Sequence, residues 1–142
     1  MNIAFFLLPK QEVVTMSPHA TLRQTLERME FHRYSAIPMI TEAGHYAGTV
    51  TEGDLLWFLK SKSLSFEHTH LHRIDEIPLL LKIKPVHIHA EMVDLIELAK
   101  TQNFVPVVDD IEKFIGIVRR SDIIEYCARP LFNSSVIMDS SS

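Results

Sequence analysis

The chain has 142 residues, of which 46% are hydrophobic and 23% are charged, a size and composition typical of one globular domain. Its 14 basic and 18 acidic residues give a formal net charge of −4, which argues against the broad basic surface that general nucleic-acid binding requires. A single cysteine excludes an intrachain disulfide, and no apolar stretch is long enough to span a bilayer, so we expect a cytoplasmic protein.

A repeat with an offset of 68 residues organises the sequence. Because three landmarks keep this register across two loops, we infer a duplication rather than chance. The landmark pairs are Pro38 and Pro106, Gly48 and Gly116, and Asp54 and Asp122.

The first copy begins with an amphipathic helix. Leu22, Leu26 and Met29 lie at the i, i+4, i+7 spacing of a helix that buries one face. Because proline lacks a backbone N–H, Pro38 and its equivalent Pro106 predict strands at a sheet edge. In chain order the first copy is predicted to form a helix over 21–32, strands over 35–40 and 46–50, and a helix over 52–59.

The second copy repeats this order with small shifts. Its first helix is expected to turn Met92, Leu95, Ile96 and Ala99 inward. Cys127 is expected to pack in the core, since a free cysteine is usually a small buried hydrophobe. The predicted elements are a helix over 91–101, strands over 103–108 and 114–118, and a helix over 121–128.

These elements predict an α/β (α+β) chain of two tandem βαββα repeats. Neither repeat is large enough to bury its sheet alone, so we expect them to pack with pseudo-twofold symmetry and to leave two related clefts at the seam. The predicted divisions are repeat 1 at 1–62, a connector at 63–85 with a short helix around 73–80, repeat 2 at 86–130, and a disordered tail at 131–142.

The motifs resemble a known family. Residues 13–22, 34–40 and 48–56 read VVTMSPHATL, YSAIPMI and GTVTEGDLL, which is similar to one CBS domain, the cystathionine β-synthase repeat. The second copy resembles another, so the chain is similar to a stand-alone CBS pair, or Bateman module, over about residues 3–128. The charge-poor middle and the pair Arg119 and Arg120 are further similar to small bacterial CBS proteins that bind cyclic di-AMP.

The resemblance implies a regulatory module that binds an adenine nucleotide (AMP, ATP, S-adenosylmethionine or cyclic di-AMP) between the repeats. In the family's pattern, Asp54 would accept hydrogen bonds from the ribose hydroxyls, and Thr51 would contact the ribose or phosphate. The other residues that the resemblance implies for the ligand are Ser35, Ala36, Ile37 and Pro38 at the adenine, Val14 and Thr15 opposite, and Asn103, Phe104, Val105, Pro106 and Asp122 in the second copy.

Two of these positions have a second interpretation. Thr51 and Asp54 also match a capping box, which stabilises a helix start whether or not a ligand binds, and the two roles can coexist. In the second copy Arg119 replaces the threonine, and Ser121 becomes the expected N-cap. Arg119 and Arg120 either offer guanidinium groups to phosphate oxygens or form a solvated basic turn.

The resemblance also implies partners. CBS pairs commonly form flat dimers through their helices, so we expect a homodimer, together with an unidentified protein target. No P-loop, GxGxxG or HExxH motif is present, and no activated nucleophile can be assembled, so catalysis is not predicted. The candidate dimer residues are Phe31, Trp57, Ile123 and Ile124.

Two alternatives to nucleotide sensing stay open. One is a structural or protein-interaction module whose clefts are empty. The other is metal sensing, because His68, His70 and His72 alternate, as do His87 and His89, and histidine is a common metal ligand. No cysteine or carboxylate joins them at a convincing spacing, so no metal and no cofactor other than the regulatory nucleotide is predicted.

Overall fold

The computed structural model describes the backbone of residues 2–141 and the side chains of residues 2–132. Its helices and strands are β1 (Leu7–Pro9), α1 (Leu22–His32), β2 (Ala36–Ile40), β3 (Tyr46–Thr51), α2 (Glu52–Lys62), β4 (Val86–His87), α3 (Met92–Ala99), β5 (Phe104–Val108), β6 (Phe114–Arg119) and α4 (Arg120–Ser141). Short 3₁₀ turns lie at Ile3–Phe6, Lys10–Glu12, Phe66–Leu71 and Ile74–Glu76. Among the described residues, no helix is both long and apolar enough to cross a bilayer.

Helices α1 and α2 begin at complete capping boxes. The hydroxyl of Thr21 accepts a hydrogen bond from the backbone of Gln24, whose side chain accepts one from the Thr21 backbone. Thr51 and Asp54 make the same reciprocal pair at the start of α2. Such a box satisfies two N–H groups that a helix start otherwise leaves unpaired. Both helices are confirmed where the sequence predicted them.

The connector differs from its prediction. The helix expected around 73–80 is wrong, because only the 3₁₀ turn at Ile74–Glu76 forms there. Pro78 ends it, since proline has no N–H to continue a helix and forces the preceding residue into an extended conformation. Ile77 indeed has φ −86° and ψ 124°. The second 3₁₀ turn, at Phe66–Leu71, has no predicted counterpart.

Helices α3 and α4 also differ in detail. Met92 and Leu95 are buried as expected, but Ile96 and Cys127 are exposed, because both lie beside an open groove between α3 and α4. Helix α4 begins at Arg120, so Ser121 is inside the helix and is not its N-cap. The backbone of α4 continues to Ser141, through the range where a tail was expected.

The N-terminal strand joins the sheet of the second repeat. The sheet order is β1-β6-β5-β4, with β1 antiparallel to β6 and β4 parallel to β5, while β2 and β3 pair separately. Because β5 lies inside its sheet, the expectation of an edge strand at Pro106 is wrong. Strand β4 pairs only with Val107 and Val108, so the missing N–H of Pro106 interrupts no ladder bond to β4.

A pseudo-twofold axis relates the two repeats. Along it, residues that are equivalent in the two copies meet each other, which only a twofold relation produces. The equivalent pairs in contact are Ser35 and Asn103 (Oγ to Nδ2, 3.4 Å), Tyr46 and Phe114 (ring centroids 6.5 Å apart), and His45 and Lys113 (a β-bridge).

Each repeat has its own core, completed by a segment from outside it. Ile74 and Ile77 of the connector are buried in the core of the first repeat, and Ile3 is buried in the core of the second. Each such side chain contributes about 2 kcal/mol by its burial. The packing units are therefore not contiguous in sequence, since each repeat takes up the segment that precedes the other.

Candidate functional site

A cleft of about 300 Å³ opens at the seam between the repeats. Its two walls are the starts of β2 and α2 on one side and the start of β5 on the other, and the connector crosses one end. The lining residues are Ser35, Ala36, Thr51, Glu52, Leu81, Ile83, Thr101, Gln102, Asn103 and Phe104.

Some of the residues predicted for the ligand come together in this cleft. Those that line it are Ser35, Ala36, Thr51, Asn103 and Phe104. The other predicted residues do not line it, Asp54, Arg119, Arg120 and Asp122 among them. Four of these others lie buried within β2 and β5, namely Ile37, Pro38, Val105 and Pro106.

The backbone ties both walls of the cleft in the same way. The carbonyl of Ser35 accepts a hydrogen bond from the N–H of Glu52 at 2.9 Å, and the carbonyl of Asn103 accepts one from the N–H of Arg120 at 3.0 Å. Each bond connects the start of a strand to the first turn of the helix that closes the same repeat. The cleft therefore has a preformed frame.

Val14 and Thr15 lie away from this cleft. Val14 packs against the core of the first repeat. The carbonyl of Thr15 accepts a hydrogen bond from the guanidinium group of Arg28 at 3.0 Å, and the N–H of Met16 donates to the carbonyl of Pro38 at 3.0 Å. These residues therefore flank β2 on the side of α1.

Asp54 is buried, with 1% of its surface exposed. Its Oδ2 accepts a hydrogen bond from the N–H of Thr51, and its Oδ1 accepts one from the N–H of Leu80 in the connector, both at 2.8 Å. The capping interpretation is thus confirmed. The contact with ribose stays a prediction, and in this conformation the protein itself engages both oxygens.

Asp122, the equivalent residue, has different surroundings. Its side chain is 26% exposed and accepts a hydrogen bond from Nε of Arg119 at 2.9 Å. Nε of Arg120 donates to the carbonyl of Gln102, also at 2.9 Å. The two arginines are therefore oriented by protein partners, and their contact with phosphate stays a prediction.

Gln102 is the most important lining residue that sequence analysis missed. It is buried, its Oε1 accepts from the N–H of Lys84 at 3.0 Å, and its Nε2 donates to the carbonyls of Lys84 and Phe104 at 3.2 and 3.3 Å. No local pattern marks it, because its role depends on the connector passing beside it. The other lining residues that were missed are Glu52, Leu81, Ile83 and Thr101.

Tyr46 holds the far end of the connector. Its hydroxyl donates a hydrogen bond to the carbonyl of Ile83 and lies 2.7 Å from the hydroxyl of Thr49. Burial raises the pKa of Tyr46 to about 12, although the hydrogen bond with Thr49 opposes this shift. The phenol is therefore a neutral donor throughout the physiological pH range.

The connector histidines do not form a cluster. His68 and His70 lie in a 3₁₀ turn rather than a strand, and His72 pairs with Glu76 at 3.2 Å. The pKa of Glu76 is lowered, first by the backbone hydrogen bond from Arg73 and then by the one from His72. Among the described side chains, no group of three or more potential ligands is arranged to hold a metal ion.

The fold and the cleft define a class, a paired-repeat α/β module with a ligand-sized space at its pseudo-twofold seam. Residues 7–61 and 77–129 match the family model of the CBS domain, and the chain belongs to the CBS domain family. The tandem CBS repeats predicted from the sequence are thus confirmed.

Several known proteins are similar over nearly their whole length. A CBS domain-containing protein of Dictyostelium discoideum is 25% identical, covering 92% of this chain and 95% of that protein. The crystal structure of Listeria monocytogenes CbpB in complex with c-di-AMP has a TM-score of 0.82 at 17% identity, covering 93% and 98% of the two chains. That of CBSX2 in complex with AMP has a TM-score of 0.70 at 21% identity, covering 90% and 96%.

Proposed function

We propose that this chain is a cytoplasmic regulatory module that binds an adenine nucleotide between its CBS repeats and signals its occupancy to a partner protein. The observation that carries the proposal is the seam cleft, where Ser35 and Asn103 meet and Thr51 begins α2. Support comes from two proteins of the same fold, which are in complex with c-di-AMP and with AMP. Both ligands present adenine and ribose, and no catalytic step is involved.

The polar groups of the cleft suit an adenine base. The side-chain amide of Asn103 has a donor and an acceptor, which is the pair that reads the N6 and N7 edge of adenine. Ser35 supplies a hydroxyl beside it. Phe104 and Ala36 give the slot apolar contact area, and Thr51 offers its hydroxyl to the sugar.

Charge favours the second repeat for the phosphates. The N-terminus of α2 already carries Glu52 and Asp54 in its first turn, and these carboxylates offset the positive end of the helix dipole. Helix α4 has one carboxylate in its first turn, Asp122, and begins beside Arg119 and Arg120, whose guanidinium groups suit phosphate oxygens. A nucleotide that contacts both repeats would thus stabilise one packing of the two, which is how binding shifts a conformational equilibrium.

Thermal unfolding of the purified chain tests the proposal directly. The panel is AMP, ATP, S-adenosylmethionine and cyclic di-AMP, with GMP and zinc chloride for comparison. A ligand at a hundredfold its dissociation constant adds about 2.7 kcal/mol, a shift of several degrees. If no adenine compound raises the melting temperature, the result favours the alternative function, an interaction module with empty clefts.

Replacing the N-cap of α2 separates binding from stability. Thr51→Ala and Thr21→Ala each remove the threonine of a complete capping box, so each is expected to lose about 1 kcal/mol of unfolding free energy. Only Thr51 lines the cleft. Isothermal titration should therefore show affinity about tenfold weaker in Thr51→Ala alone. Equal affinities in the two variants would show that Thr51 does not contact the ligand.

The proposed homodimer forms over the groove between α3 and α4. This groove has a volume of about 390 Å³ and includes Ile96, Ile124 and Cys127 in its lining. A charge placed there opposes burial by a second copy, so Ile124→Glu is expected to give a monomer in sedimentation equilibrium. The control is Ile111→Glu, the same change at an exposed turn residue. A dimer that survives Ile124→Glu contradicts this interface.

A further inference from the structure

The connector crosses the seam as a strap, residues 78–84, which side chains from both repeats hold by its backbone. The strap has no regular secondary structure. Its anchoring hydrogen bonds run from side chains of the two repeats to its main chain. The three anchors are Asp54 to the N–H of Leu80 (2.8 Å), Tyr46 to the carbonyl of Ile83 (2.7 Å), and Gln102 to the N–H and carbonyl of Lys84 (3.0 and 3.2 Å).

Burial alone does not hold the strap at Leu80. Leu80 and Leu81 are 59% and 58% exposed, so much of their apolar surface stays in water, whereas Leu79 is 36% exposed. Pro78 has no N–H to donate. In this part of the strap the hydrogen bond from the Leu80 N–H to Asp54 is the polar anchor, and the buried carboxylate that accepts it strengthens it. A group that competes for this carboxylate would free the strap.

Because Asp54 is 1% exposed, a ribose hydroxyl can reach its carboxylate only if a covering segment moves. Oδ2 of Asp54 is committed to the capping box of α2, whereas Oδ1 is bound by the strap. We propose that the strap is a built-in competitor for Asp54, so that nucleotide ribose and the Leu80 N–H exclude each other at Oδ1. This inference rests on the proposed function, and it adds the event that binding triggers, which is release of the leucine-bearing strap.

The competition is confined to the first repeat. The equivalent carboxylate of Asp122 binds Arg119 and stays partly exposed. In the duplicated motif, the carboxylate of the first copy is therefore bound by the strap. The carboxylate of the second copy pairs with Arg119 at the start of its own helix. Binding at the first repeat must displace a segment, and binding at the second need not.

Trp57 reports on the strap. The indole lines one cavity of about 390 Å³ together with Asp54, Pro78 and Leu80, and it is the single tryptophan of the chain. Movement of Leu80 therefore changes the surroundings of the chain's one indole fluorophore. Release of the strap can be followed without unfolding the protein.

The test uses Leu80→Pro, which removes the donor N–H, and Leu80→Ala, which keeps it and only shortens an exposed side chain. Each is titrated with cyclic di-AMP, AMP and ATP by calorimetry and by Trp57 emission. Leu80→Pro is expected to bind about tenfold tighter than wild type, the ratio for one charge-assisted hydrogen bond. Its emission should resemble that of ligand-bound wild type before any ligand is added. Leu80→Ala should match wild type in affinity, and its Trp57 emission should still change when nucleotide is added.

Amide hydrogen exchange on the wild type gives a second measurement that needs no variant. The Leu80 amide is expected to be protected without nucleotide and to lose its protection when nucleotide binds. Binding that leaves this amide protected overturns the strap inference, as does Leu80→Pro binding no tighter than Leu80→Ala, and the proposed function survives either result. If wild type and both variants bind none of the three nucleotides, and S-adenosylmethionine also fails to shift thermal unfolding, the proposed function and this inference are both removed.

Discussion

Asp54→Ala is expected to lower the free energy of unfolding by about 3 kcal/mol, and the melting temperature by about 10 °C. The carboxylate is 1% exposed and accepts hydrogen bonds from the backbone of Thr51 and Leu80. Removing it leaves both N–H groups without their acceptor, and an unsatisfied buried donor costs about 1–3 kcal/mol. Urea unfolding measures the loss.

Asp122→Ala is the matched control, because it is the same change at the equivalent position of the second repeat. Its carboxylate is partly exposed and bonds only to Arg119 among the described side chains, so the loss is expected to stay below about 1 kcal/mol. Equal losses in the two variants would mean that the buried bonds of Asp54 add nothing to stability. The expected difference also makes Asp54→Ala a poor probe of binding alone, because it weakens the fold that forms the cleft.

Gly116→Ala is expected to destabilise the chain by about 3 kcal/mol. A Cβ at this position would lie 2.2 Å from the carbonyl oxygen of Leu8 and 2.9 Å from a methyl group of Leu7. The oxygen belongs to the backbone of β1, so the clash is relieved only by moving β1 away from β6. That movement would break the pairing that joins the N-terminal segment to the second repeat. Urea unfolding and exchange of the β1 amides would both show it.

Gly53→Ala is the control for the loss of a glycine. A Cβ there would meet its nearest atom, the hydroxyl oxygen of Thr51, at an ordinary 3.7 Å. Because Gly53 lies inside α2, alanine should stabilise the helix by about 0.5–1 kcal/mol. If Gly116→Ala were as stable as wild type, β1 would not be held against β6 as closely as the structure shows.

The parts that could be predicted from the sequence are those with a local signal. The stripe of Leu22 and Met29, the capping box at Thr51, and the register of the duplicated motifs lie within one turn, one strand or one repeat. Helix spacing and capping depend on neighbouring residues alone. The order of elements within each repeat followed from them, and the CBS family was identified from the resemblance of the duplicated motifs.

The burial of side chains on α3 and α4 was predicted less well. Cys127 shares the helical register of buried Ile123, yet it is exposed beside Ile96. Helical spacing assigns a residue to a face, but burial depends on whether another element covers that face. In this chain the groove between α3 and α4 is open, and a second copy is our proposed cover.

Sequence alone therefore determined two CBS repeats, a seam between them and a motif with a cap at its helix start. Only the tertiary structure decided that β1 pairs with β6, that Gln102 holds Lys84 and that the N–H of Leu80 occupies Asp54. These contacts join segments far apart in the chain, and their partners are backbone groups that every residue carries. A donor or acceptor common to all residues has no signature in the sequence, so its partner becomes visible only when the chain is folded.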